Sequence, residues 1–207
     1  MNTIIVRRRR ARAPRAYTLV EVLMALAVLA IGVAGVIAMQ GVTAAANRHA
    51  KNLAAATHIA QSWLDMLATE SSLWTESGSL TRTTWLAQGA NLNGWFRPQY
   101  NAALNFGAAF DALGNPVPTL DEARDAQYCV DLRFTTLSDG AFGAGLLRAE
   151  VRVYWRRDDA VPIDTTPAPA HACALTPVQV STAGADSYFH FVHLSGAVRQ
   201  QARGEPT

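Results

Sequence analysis

The pattern of apolar and polar positions begins with one long apolar run. Eighteen consecutive apolar residues occupy 22–39, and a helix of that length crosses most of a ~30 Å hydrocarbon core. Only one charge, that of Glu21, lies between Arg15 and Arg48. The run therefore predicts a transmembrane helix at about 17–39.

Beyond this run the apolar spacing becomes that of an amphipathic helix. Apolar side chains and one histidine recur every three or four residues, and no proline occurs from Tyr17 until Pro98. The stripe consists of Val42, Ala46, His49, Leu53, Ala56, Ala60, Trp63 and Leu67. We predict one helix from Thr18 to about Thr69, whose second half leaves the membrane and packs against a C-terminal domain.

Three late segments have the composition of β-strands. They lie at 128–137, 146–157 and 188–200. They are rich in valine and aromatic residues, and apolar and polar residues alternate along them. Turn residues between the first two segments predict an antiparallel hairpin. The second segment alternates apolar with charged residues, which predicts one apolar face against the helix and one polar face. We expect an α+β domain, with a long N-terminal helix packed on a C-terminal antiparallel sheet.

These patterns divide the chain into four parts. The parts are a basic leader at 1–16, the long helix at 17–70, a region of loops and short helices at 71–127, and the sheet region of a globular domain at 128–207. In the third part Trp74, Trp85 and Trp95 recur at intervals of ten or eleven residues. We interpret them as residues that pack over the sheet edge, and a repeat or a stacking platform for sugars is the alternative.

The positive charges are concentrated at the N-terminus. Residues 1–16 contain six arginines and no acid, and the positive-inside bias holds such a segment in the cytoplasm. The rest of the chain is therefore expected to be exported. Without the leader the chain has twelve basic and sixteen acidic residues, a formal charge of −4. Nucleic-acid binding is accordingly not expected.

Glu21 is an acidic residue at the start of the predicted membrane segment. An unpaired carboxylate is costly there, so Glu21 is a candidate functional residue. The alternative is a capping box, in which Thr18 and Glu21 satisfy free backbone donors at the positive end of the helix. A capping role and a functional role are compatible.

The apolar run is preceded by a small residue, an aromatic residue and the sequence Thr-Leu-Val-Glu-Val-Leu. This pattern resembles the class III signal of type IV prepilins and related pseudopilins. The resemblance implies cleavage by prepilin peptidase between Ala16 and Tyr17, N-methylation of Tyr17, and an assembly and register role for Glu21 and Thr18. In the family the residue before the cut is usually glycine and the aromatic residue is usually phenylalanine.

The resemblance also implies a function. A pilin is a structural subunit in which a long helix is half embedded in a C-terminal sheet. The chain is most similar to minor pilins of the PilV type (type IV pilus modification proteins). The implied partners are other major and minor pilins, prepilin peptidase, the inner-membrane assembly platform and the lipid bilayer. The implied location is the inner membrane, with a periplasmic domain, and then the pilus at the cell surface.

Two other functions stay open at this point. One is a minor pseudopilin of a type II secretion or DNA-uptake system, which has the same signal. The other, from a different class, is a signal-anchored periplasmic binding module that never enters a filament.

The two cysteines are predicted to pair after export. Cys129 lies in the first strand and Cys173 in a proline-rich connector, and an oxidising compartment favours a disulfide. Two free thiols are the alternative, since sequence spacing does not show that the residues meet. The resemblance adds weight to pairing, because many pilins close a C-terminal loop with a disulfide.

The sequence contains no recognised catalytic or metal-binding constellation. His190 and His193 are three residues apart in a predicted strand, so their side chains point to opposite faces. No glycine-rich phosphate loop or nucleophile motif occurs. We therefore expect neither an enzyme nor a bound metal or cofactor.

Overall fold

A computed structural model of the chain describes most of its length. The described residues are 18–74, 80, 82–89, 94–118, 126–138, 145–157, 171–182 and 188–200. The helices are α1 (Leu19–Glu70), α2 (Trp85–Gly89) and α3 (Pro177–Val180), and the strands are β1 (Ala109–Phe110), β2 (Tyr128–Ser138), β3 (Leu146–Arg156) and β4 (Phe189–Arg199). Short 3-10 turns occupy Ser71–Leu73 and Ala172–Ala174.

The chain forms two compact units that divide within α1. They are Met1–Arg48 and His49–Thr207. In the second unit α1 packs on a four-stranded antiparallel sheet with the order β1-β2-β3-β4. This is the predicted α+β, pilin-like arrangement, which the structure confirms.

The predicted long helix begins and ends within one residue of α1, which has 52 residues. Its buried hydrophobic side chains are Ala56, Ile59, Ala60, Trp63 and Leu67. The covered face is shorter than the predicted stripe, because Leu53 keeps 44% exposure and burial begins only at Ala56. The prediction missed Ile59, which extends the buried face sideways.

The three predicted strands match β2, β3 and β4 to within one residue at each end. The short strand β1 was not predicted. It has only two residues, Ala109 and Phe110, which pair with Cys129 and Tyr128 of β2. A two-residue strand contains no alternation that a sequence pattern could detect.

Aromatic residues fill the space between α1 and the sheet. Trp63 of α1 meets Trp85 of α2 edge to face, with ring centroids 5.2 Å apart, and meets Phe106 at 4.7 Å. Such pairs add to the free energy gained by burying apolar area. Trp85 thus packs as predicted, although it lies in the core beneath the helix rather than at the sheet edge.

Glu70 joins the end of α1 to the start of α2. Its buried carboxylate accepts hydrogen bonds from the backbone N–H groups of Thr84, of Trp85 at 2.9 Å and of Leu86 at 3.0 Å. These donors belong to the first turn of α2, where a helix cannot satisfy its own N–H groups. No local pattern in the sequence indicates this role of Glu70.

Replacing Glu70 with alanine is expected to lower the free energy of unfolding by about 1–3 kcal/mol, because it leaves buried N–H donors without an acceptor. Urea unfolding of the detergent-solubilised full chain, followed by tryptophan fluorescence, measures this change. Asp65→Ala is the matched control, since Asp65 is exposed on the same helix and its loss is expected to cost less than about 0.5 kcal/mol. Equal effects of the two substitutions would contradict the capping role.

Candidate functional site

The first turn of α1 has a side-chain cap. The N–H group of Glu21 donates to Oγ1 of Thr18 at 3.3 Å, and the N–H group of Val22 donates to the Thr18 carbonyl at the same distance. Thr18 therefore supplies the Thr half of the predicted capping box. The Glu21 side chain is exposed at the positive end of the helix dipole. Among the described residues no cation forms an ion pair with it.

The first part of α1 presents apolar side chains in every direction. Every large apolar residue from 19 to 39 has 48–78% of its surface accessible. Within the described residues one helix, Leu19–Leu73, is long and apolar enough to cross a membrane, judged by length and composition. A helix that is apolar all round belongs in lipid or within a bundle of helices.

The glycines of this part of α1 are not required by contacts within the chain. A Cβ atom added at Gly32, Gly35 or Gly41 would meet no atom within 4 Å. Small residues on membrane helices let a second helix approach closely. These positions are therefore available for contact with another helix.

The face of the sheet opposite α1 is covered by residues 171–182, which we call the docked segment. Its Cys173 forms a disulfide with Cys129 of β2, with an S–S distance of 2.03 Å and a Cα–Cα distance of 5.3 Å. Residues of β2, β3, β4 and the docked segment form a second apolar cluster here. The predicted cysteine pair is thus a disulfide in the structure, and it ties the docked segment to the sheet.

A buried ionic network lies beneath the docked segment. Asp131 of β2 has no exposed surface; it accepts hydrogen bonds from Nη2 of Arg152 at 2.7 Å and from Nε of Arg97 at 3.3 Å. Burial raises the pKa of the Asp131 carboxyl, while the two guanidiniums act in the opposite direction. Burial also raises the pKa of Tyr154, whose hydroxyl oxygen accepts a hydrogen bond from Arg97 at 2.6 Å.

The two arginines also bind the backbone of the docked segment. Arg97 donates to the carbonyl oxygens of Cys173 at 2.9 Å and Leu175 at 2.7 Å, and Arg152 donates to that of Pro177 at 3.1 Å. Hydrogen bonds from charged donors are stronger than neutral ones. The network therefore positions the docked segment independently of the disulfide.

The predicted polar face of β3 lies opposite α1, but it is not fully exposed. Arg152 belongs to this face, and its side chain is only 5% exposed beneath the docked segment. Neither Arg97 nor Asp131 was predicted to have a structural role. The one available signal was the position of Asp131 between Val130 and Leu132 in a predicted strand, since an acid is rarely buried without a partner.

The two strand histidines lie on opposite faces of the sheet, as predicted. His190 faces α1, where its ring centroid lies 4.9 Å from that of His49. His193 lies on the other face beside Trp95, at 5.9 Å. In the described part of the chain no group of three or more His, Cys, Asp or Glu residues could hold a metal ion.

The fold and the N-terminal turn define a class of protein: a long, half-apolar helix packed on an antiparallel sheet in a pilin-like arrangement. Residues 12–37 match the family model described as the prokaryotic N-terminal methylation motif, and this match supports a type IV pilin-like family. No curated protein and no solved structure matches the chain.

The matched motif has consequences for the class of function. Proteins with it are generally structural, are processed by prepilin peptidase and assemble with other pilins in a membrane system. The motif and the apolar helix together indicate an inner-membrane-anchored protein. Ala16 and Tyr17 lie outside the described residues, so cleavage between them and methylation of Tyr17 stay predictions.

Proposed function

We propose that the chain is a minor pilin-like subunit of a type IV pilus. It is inserted in the inner membrane with its C-terminal domain in the periplasm, cleaved between Ala16 and Tyr17, methylated on Tyr17, and incorporated into a filament or its priming complex. One observation carries the proposal: the methylation motif opens a 52-residue helix of which only the second half contributes to the folded core. The first half of the helix can therefore lie in the membrane and, after assembly, contact neighbouring subunits.

The proposed assembly step is the pairing of two charges between subunits. Cleavage creates an α-amino group on Tyr17 that is mostly cationic at neutral pH, and methylation keeps its charge. When helices bundle, this amine can neutralise Glu21 of a neighbour. The pairing removes the cost of burying either charge alone and sets the register of the two helices. Thr18 supports it by holding the first helical turn in shape.

The surface of α1 supports helix bundling. Its large apolar side chains from 19 to 39 are exposed, and Gly32 and Gly35 leave open space at which another helix can approach. A static membrane anchor needs the apolar length but neither the glycines nor the acid. These features favour an assembling subunit over an anchored binding module.

The N-terminal mass of the protein tests the proposal. We expect a chain that begins at methylated Tyr17, both in membranes and in sheared surface filaments, when the intact protein is analysed by mass spectrometry. An intact leader, or cleavage beyond residue 39, would contradict the proposal and favour an anchored or secreted module. A processed chain found only with a secretion or DNA-uptake machine would point to a pseudopilin instead.

A further inference from the structure

The two edges of the sheet are built differently. At one edge β1 has two residues, and the chain folds back over it, with the N–H group of Val117 donating to the Ala109 carbonyl at 2.8 Å. At the other edge β4 has eleven residues, and its only strand partner within the described part of the chain is β3. Among the described residues the sheet therefore has one short, covered edge and one long edge beyond which no strand lies, which we call the open edge.

The sequence of β4 lacks the features that usually protect an edge strand from pairing. Natural edge strands are kept short or carry proline, lysine, a bulge or an inward-pointing charge. The sequence of β4, FHFVHLSGAVR, has no proline and no lysine, and its one permanent charge is Arg199 at the end. Its register with β3 continues through all eleven residues without a shift. Such an edge is a ready template for another strand.

The hydrogen-bond pattern identifies the backbone groups that face the open edge. The N–H group of Arg157 donates to the Tyr188 carbonyl and that of Gln200 donates to the Gly145 carbonyl, both at 2.8 Å. Directly opposite residues of an antiparallel pair alternate between bonded and non-bonded pairs. Even-numbered residues of β4 therefore bond to β3, and odd-numbered residues, among them Ala197, direct their backbone groups outward.

The direction of β4 restricts the partner. His49 of α1 lies beside His190, near the start of β4. Leu64 of α1 lies beside Gly196, in the later part of β4, where its Cδ2 atom would be 3.1 Å from an added Cβ atom. Hence α1 and β4 run in the same direction. Antiparallel pairing of β4 with a second copy would place the two His49 residues, which lead into the membrane segments, at opposite ends of the pair. Such a pairing is unfavourable for two subunits whose chains both continue from His49 back into one membrane.

We propose that the open edge of β4 binds an extended segment of a different subunit by β-strand addition, an inference that rests on the proposed pilin-like function. The outward main-chain groups of Phe191, Ser195 and Ala197 supply the hydrogen bonds, as in other strand-addition complexes. The added segment carries apolar residues on the side that faces α1, because Val192 and Leu194 are half-buried there against the core. Opposite Arg199 it carries an acidic or uncharged residue.

Amide hydrogen exchange, resolved to single residues, tests this pairing on the wild-type full chain. We compare the detergent-solubilised subunit with the same subunit in its assembled form. The outward N–H groups of Phe191, Ser195 and Ala197 are expected to exchange at least about tenfold more slowly after assembly. Those of Val192 and Leu194, which already bond to β3, are expected to change little. Equal exchange of the outward groups in both forms would overturn the proposal and leave the pilin-like function intact.

A pair of substitutions at one position gives a second test. Ala197→Pro removes an outward N–H group and leaves the β3 bonds in place, which an edge strand tolerates. Ala197→Val keeps that N–H group and suits a strand. We expect the proline variant to be processed and present in membranes but reduced roughly tenfold in the assembled fraction, and the valine variant to assemble normally.

The outcomes separate the two proposals. Equal assembly of the proline and valine variants overturns strand addition. Cross-linking of a photoreactive residue at Ala197 only to a second copy of this chain overturns the different-subunit partner. A wild-type chain that keeps its leader and stays out of every assembly overturns the proposed function, and strand addition fails with it.

Discussion

Replacing Asp131 with alanine is expected to lower the free energy of unfolding by about 3–5 kcal/mol, because it leaves the buried guanidinium of Arg152 and the partly buried guanidinium of Arg97 without their counter-charge. Asp131 is fully buried, and Arg152 beside it keeps only 4% exposure. The remaining carbonyl acceptors of the docked segment cannot compensate two positive charges. Thermal or urea unfolding of the full chain in detergent measures the loss.

Arg148→Ala is the matched control for Asp131→Ala. Arg148 forms an ion pair with Glu150 at 3.1 Å, but its side chain is 53% exposed, and exposed pairs contribute about 0–1 kcal/mol. The disulfide still tethers Cys173 to Cys129 in the Asp131 variant. We therefore expect the amide hydrogens of the docked segment to exchange faster while the segment stays attached to the sheet. A loss no larger than that of the Arg148 control would contradict the structural role of the network.

Replacing Glu21 with glutamine is expected to reduce incorporation into filaments at least about tenfold while leaving processing and the membrane level unchanged. The neutral amide cannot neutralise the amine of a neighbouring Tyr17, so one charge stays buried without a partner. Quantitative immunoblotting of membranes and sheared filaments, from cells with equal expression, measures the ratio of assembled to membrane-bound chain.

Thr18→Ala separates pairing from capping. It removes the Oγ1 acceptor of the Glu21 N–H group and is expected to cost about 1 kcal/mol of local helix stability. It keeps the carboxylate of Glu21, so incorporation is expected to fall much less than in Glu21→Gln. Similar losses in the two variants would mean that the helix cap, and not the charge pair, is what assembly requires. Normal incorporation of Glu21→Gln would refute the pairing.

The long helix and the three long strands could be predicted because each has a strong local period. An apolar run followed by a 3.6-residue stripe predicts α1, and alternation bounded by turn residues predicts β2, β3 and β4. The N-terminal signal could also be predicted from the sequence, because it is formed by consecutive residues. The match of residues 12–37 to the N-terminal methylation motif confirms that this signal is present.

The residues that hold the docked segment had no such period. Arg97, Asp131 and Arg152 lie far apart along the chain, and their roles depend on the approach of the chain around Cys173 to the outer face of the sheet. Glu70 likewise caps a helix that begins fifteen residues later. A long-range contact of this kind leaves only an isolated polar residue in the sequence, which is also what a solvated surface residue looks like.

The sequence by itself determined the candidate membrane helix, its methylation motif, the acid at Glu21 and the order of helix and strands. These features are encoded in consecutive residues or in short periods, and they need no knowledge of the fold. Only the tertiary structure decided what covers the outer face of the sheet, how Asp131 is neutralised and which strand lies at the sheet edge among the described residues. The physical reason is that burial and pairing of charges and backbone groups depend on segments brought together by folding.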